Sequence, residues 1–159
     1  MKQIALILTL LASPLYAGDI MVKDAFARVA KPNAPAGAAF MMIHNMGDED
    51  DRLISASSPA AQMVQLHTHK ETDDGIMKMM HVEEGFEIKA GETHALARGG
   101  DHVMMMGLTG PINEGEDIPV TLVFERAGEI ELMITVDNTR GQSGHGGPSD
   151  QKMKKDEDS

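Results

Sequence analysis

G-G-D-H-V-M-M-M-G-L, residues 99–108, puts three successive methionines behind a histidine, and the reading of this stretch decides the architecture. Read as a strand starting after the Gly99-Gly100 turn, it sorts its side chains by parity: His102, Met104 and Met106 share one face, Val103 and Met105 the other. The H-x-M pair of His102 and Met104 then brings an imidazole and a thioether together near a sheet end, where a site can open to solvent. Met105 joins Val103 in a core, and Met106 packs on the face of His102 and Met104.

The same period-two character recurs on either side, in short stretches set apart by Gly, Pro, Asn and Asp clusters. Strands are predicted over 21–29, 38–45, 52–57, 63–68, 76–82, 86–89, 102–106, 118–125 and 129–136, the spacing of an antiparallel sandwich or barrel. Helical periodicity is absent after residue 17, and only the Ala- and Ser-rich 55–62 segment is expected to allow a helical turn. No internal repeat is found.

With 159 residues, 42% of them hydrophobic, the chain has material for one core. Aromatic residues make up only 3% and Trp is absent, yet there are 14 methionines, so thioethers supply much of the flexible apolar volume. Acidic residues outnumber basic ones 25 to 14, a net charge of −11 that repels phosphate backbones and anionic headgroups and argues against nucleic acid or membrane partners.

Residues 1–17, with Lys2 ahead of an apolar run and a small residue at Ala17, read as a secretory signal peptide cleaved after Ala17. The apolar run is short of the ~20 residues that span a bilayer, so no membrane insertion is expected once the leader is removed. Residues 18–140 form the predicted β domain. The segment 141–159, rich in Gly and charge, offers too little apolar surface to offset its ordering entropy and reads as a disordered tail, although it carries His145 and Met153. An exported chain without cysteine has no disulfides, no thiol nucleophile and no thiolate metal site.

Soft-metal chemistry here must therefore use methionine. V-Q-L-H-T-H-K-E-T-D-D-G-I-M-K-M-M-H-V, residues 64–82, supplies the second half of a ligand set. His67 and His69 share a face of one strand, Met77, Met79 and His81 a face of the next, and the polar loop 70–75 joins them as a hairpin that lets His67 approach the Met77–Met79 side. Thioether and imidazole donors without thiolate or carboxylate select a soft monovalent ion, and Cu(I) fits. Zinc, which takes Cys, His and carboxylate, is the weaker alternative.

At these residues the chain resembles the periplasmic copper chaperone family PCu(A)C. The resemblance covers 24–136 and rests on A-F-A-R at 25–28, G-A-A-F-M at 37–41, D-R-L at 51–53, V-Q-L-H at 64–67, G-I-M-K-M at 75–79, the Gly99–Leu108 stretch and L-V-F-E at 122–125. It implies a cupredoxin-like Greek-key β-barrel that binds one Cu(I) through two His and two Met and delivers it toward the CuA centre of cytochrome c oxidase. Carried over residue by residue, the ligands are His67, Met79, His102 and Met104. Eleven residues separate His67 from Met79, and twenty-two separate Met79 from His102, one more than the family pattern. Met80 would restore that spacing, but the G-I-M-K-M context and its shared face with Met77 favour Met79. His44, His69, His81 and His94 are read as non-ligands.

Partners implied by the resemblance are the copper-bearing subunit of cytochrome c oxidase or another copper-relay protein, met by a monomer. A copper-sequestering or resistance protein could use the same site. An electron-transfer cupredoxin needs a Cys thiolate that this chain lacks. No nucleophile elbow, H-E-x-x-H or Gly-rich phosphate loop is present, so catalysis is not expected.

Overall fold

Alternating buried and exposed side chains drive ten strands in the computed structural model, which describes residues 18–140. The expected leader 1–17 and tail 141–159, with His145 and Met153, lie outside the described residues. The strands are β1 (Ile20–Val29), β2 (Ala36–Asn45), β3 (Asp51–Ser57), β4 (Ala61–Glu71), β5 (Met77–His81), β6 (Phe86–Ile88), β7 (Thr93–Leu96), β8 (His102–Leu108), β9 (Asp117–Phe124) and β10 (Gly128–Val136).

They hydrogen-bond in the order β5-β4-β8-β2-β1-β10-β9-β3-β6, with β7 pairing β2 off this path. All pairings are antiparallel except β1 with β10, so the sheet is mixed where a wholly antiparallel one was expected. Parallel neighbours need a long connection, and these two strands come from opposite ends of the described chain. The inner faces of both halves share one core, including Ala39, Met41 and Ile43 of β2, Val103 and Met105 of β8, and Leu122 and Phe124 of β9.

Two local readings differ from the sequence expectation. Residues 93–96, predicted as loop, form β7, whose burial pattern has one fully inward residue, Leu96, too few for a periodic signal. The 55–62 segment holds no helical turn. β3 ends at Ser57 and β4 starts at Ala61, with Ser58 Oγ accepting from the Ala60 N–H at 3.2 Å and donating to the Pro119 carbonyl at 2.6 Å. Ala56 and Ala61 are small because both are buried in the core beside this turn.

A bulge sets which β1 residues reach the outer face. The register slips by one residue between Lys23 and Phe26, where Asp24 has φ 53°. Without the slip Phe26 would lie opposite Ala39 and point inward; with it, Phe26 opposes Phe40 and Arg28 opposes Ala38. β8 lies between β4 and β2, so its inner face is sealed and Met105 is fully buried.

Met105→Ala should therefore destabilise the domain by about 2–5 kcal/mol, read as a lower denaturant midpoint. The outer face of the fraction that remains folded, read from the NMR signals of its imidazoles, should be unchanged, because Met105 faces away from His102 and Met104.

Candidate metal centre

Four antiparallel strands bring imidazoles and thioethers to the outer face of the β5-β4-β8-β2 half. Across β4 and β8, His67 stands opposite His102 and Gln65 opposite Met104; across β4 and β5, His69 stands opposite Met79 and His67 opposite His81. On β2, Ala38 opposes Met104, and its small side chain leaves the thioether room. The β4–β5 strands extend to Glu71 and Met77, so the hairpin loop is shorter than the sequence suggested. Met79 is consequently diagonal to His67 rather than opposite it.

A cavity of about 380 Å³ opens on this face, lined by His69, Met79, His102, Met104 and Phe40, with arginines at its edge. Three of the four expected ligands thus meet around one space, and His69, expected to be a bystander, joins them. His67 lies beside the cavity, its ring centroid 5.8 Å from that of His102. His69 was legible in principle, since hairpin register places it opposite Met79, but the loop length that sets the register is not readable from composition. His44 bonds Thr93, and His94 pairs with Asp101 at 2.9 Å. His81 is exposed, 5.9 Å from His67 between ring centroids.

Hydrogen bonds orient the rings. His102 Nδ1 donates to the Gly100 carbonyl at 3.0 Å, and His69 Nδ1 donates to the same oxygen at 3.3 Å. A carbonyl only accepts, so both rings, when neutral, carry the proton on Nδ1 and hold a bare lone pair on Nε2. His67 is turned the other way: its Nε2 donates to Gln65 Oε1 at 2.9 Å, leaving the lone pair on Nδ1. Among the described residues, His67 Nδ1 is the single buried side-chain polar atom without a hydrogen-bond partner. Such an atom costs stability unless something completes it, and an ion does so.

Desolvation is the main cause that lowers the pKa of His102, which is 2% exposed beneath Phe40, His67 and His69, although its bond to Gly100 pulls the other way. Desolvation also leads for His67, reinforced by His102, His81 and His69. Both shifts favour the neutral imidazole that a metal requires. The imidazoles on this face stand beside two thioethers, those of Met79 and Met104, which line the same cavity as His69 and His102. The donor set fits a soft ion.

The LpqE-like family model, described as "Putative lipoprotein LpqE-like", matches residues 20–136. "Putative lipoprotein Lxx21020" of Leifsonia xyli subsp. xyli is 34% identical over 125 residues, covering 79% of this chain and 74% of that protein. The solution structure of CuI-DR1885 from Deinococcus radiodurans is similar with 30% identity and a TM-score of 0.60, covering 82% of this chain and 84% of that one. The fold is shared with the copper-bound PCuAC domain from PmoF2, at 24% identity and a TM-score of 0.62, over 76% of this chain and 93% of the other.

The depressed histidine pKa values fix the sign of a pH effect on the metal-free protein. As pH falls below about 6.5, the unfolded chain takes up protons first, so stability drops until the folded imidazoles also protonate, and then levels off. Denaturant midpoints should fall between pH 7.5 and 5, above the range where carboxylates titrate. The fall should vanish in a His67→Gln, His102→Gln double variant, whatever its absolute stability.

Proposed function

The chain belongs to the LpqE-like family, related to the PCuAC domains whose fold it shares, and from that premise we propose that it is a copper chaperone that binds one Cu(I) and passes it on without catalytic turnover. The observation that carries this reading is the buried, unpartnered Nδ1 of His67, whose ring lies 5.8 Å from that of His102 between centroids, on a face that also presents Met79 and Met104. The proposed ligands are His67, Met79, His102 and Met104. Two neutral imidazoles and two thioethers suit Cu(I), and thioethers bind without losing a proton. His69 lines the same cavity and stands ready as a replacement imidazole during exchange.

Hand-over is favoured above sequestration by exposure. Met79 is 46% exposed on β5, the strand that ends the sheet, so one donor sits where an incoming protein can displace it. The proposed receiver is the copper-bearing subunit of cytochrome c oxidase or another relay protein outside the cytoplasm. The lipoprotein descriptions of the relatives support export.

Neighbouring methionines test the assignment. Met79→Leu and Met104→Leu should each keep the fold, at a cost under about 1.5 kcal/mol, yet lower Cu(I) affinity by an order of magnitude or more in competition with Cu(I) chelators. Met80→Leu and Met105→Leu should leave affinity within a factor of about two. Loss of binding in Met80→Leu but not Met79→Leu would reverse the assignment. Copper incubated with the purified oxidase subunit should leave the chaperone; a sequestering protein would keep it.

A further inference from the structure

The metal face continues as a groove with an unusual charge for this molecule. Beyond the copper cavity two further hollows, of about 310 and 300 Å³, follow the same sheet face across β2 and β1, and Phe40 lines all three. Arg28 edges two of them and Arg98 all three, while Arg140 stands at the far end. Three of the five arginines in a chain of net charge −11 thus border one groove, and no carboxylate lines its first two parts. The one carboxylate in the third, Asp24, is paired with Arg140 at 3.4 Å.

The groove is also built, not accidental. The β1 bulge turns Phe26 and Arg28 onto this face. Phe26 packs on Phe40 at 5.3 Å between centroids, the Arg140 guanidinium lies 4.8 Å over the Phe26 ring, and Phe40 in turn packs on His102 at 6.2 Å. Arg28 Nη1 donates to the Arg140 carbonyl at 2.9 Å, which holds the guanidinium at the groove edge while using one of its five donors. An apolar floor with forked donors along its rim matches an extended peptide carrying carboxylates.

We propose that this groove docks an acidic, extended segment of the protein that exchanges copper with the site, aligning its donor with Met79 and Met104. The inference rests on the chaperone reading and names what the acceptor must present. The overall negative charge turns away long polyanions and anionic bilayers, but a short acidic segment seated in the groove lies nearest the arginines, with the groove's one carboxylate, Asp24, already paired with Arg140. Copper then moves by ligand exchange: one metal–donor bond forms to the incoming side chain as one to the chaperone breaks, with no change of oxidation state.

The test uses the full chain and two synthetic peptides, each with two methionines, identical except that Asp and Glu in one are Asn and Gln in the other. At about 0.15 M salt the acidic peptide should take Cu(I) from the loaded protein about tenfold faster than its neutral twin. In the Arg28→Gln, Arg98→Gln double variant the two rates should converge to within about twofold, with an unchanged far-UV circular dichroism spectrum as the check on folding. Anisotropy of the labelled peptides on the copper-free protein reads the groove separately, so a chain that takes up no Cu(I) but still binds the acidic peptide through these arginines refutes the chaperone reading and leaves the docking surface standing. Equal rates and equal binding for both peptides overturn the proposal. So does an acidic advantage that survives the double variant, or one erased by inorganic phosphate at the peptide's own concentration, which would reveal only a general anion site.

Discussion

β8 is hydrogen-bonded on both edges, to β4 and to β2, and every other feature of the metal face depends on that strand being held flat between them. A paired strand cannot rotate about its axis, so the parity of its side chains becomes a hard division. Val103 and Met105 are at 0% exposure on one side, and His102 and Met104 are delivered to the other. A slip of one residue would exchange the two sets and place the histidine in the core. The burial of Met105 is therefore what keeps Met104 available, and the two neighbouring methionines do different work for a purely geometric reason.

Burial without a core is the second theme. His102 faces away from the main core yet is nearly inaccessible, because Phe40 and the imidazoles of His67 and His69 cover it. The same crowding desolvates the rings, and desolvation disfavours their charged forms. The backbone contributes the rest: one carbonyl, that of Gly100, fixes the proton position on both His69 and His102. In the proposed chaperone these lone pairs are prepared before any ion arrives, which lowers the reorganisation that binding would otherwise require. The face combines this order with an exposed, sheet-terminal Met79, which on the proposed reading is the donor open to exchange.

Much of this was legible in the chain. Nine of the ten strands follow from period-two patterning, and the tenth, β7, was missed because four residues with a single buried side chain carry no period. The residues singled out on β8 and β5, His102, Met104 and Met79, come to one cavity as parity predicts within each strand. Parity within a strand says nothing about which residue of the next strand lies opposite. That is why His69 rather than His67 faces Met79, and why the expected approach of His67 to Met79 became a diagonal.

By itself the sequence determined the class of fold, the two faces of each strand, the soft character of the donors and the absence of any thiol, because these depend on residue type and on a period of two. Only the tertiary structure decided the register between strands, the bulge at Asp24 that turns Phe26 and Arg28 outward, the parallel pairing of β1 with β10, and the gathering of three arginines beside the metal face. Those arginines, at positions 28, 98 and 140, are far apart in the chain and share no motif. They meet because strand pairing and the packing of the core leave one arrangement of the strand ends, and a property set by that assembly is spread over the whole chain rather than written in any part of it.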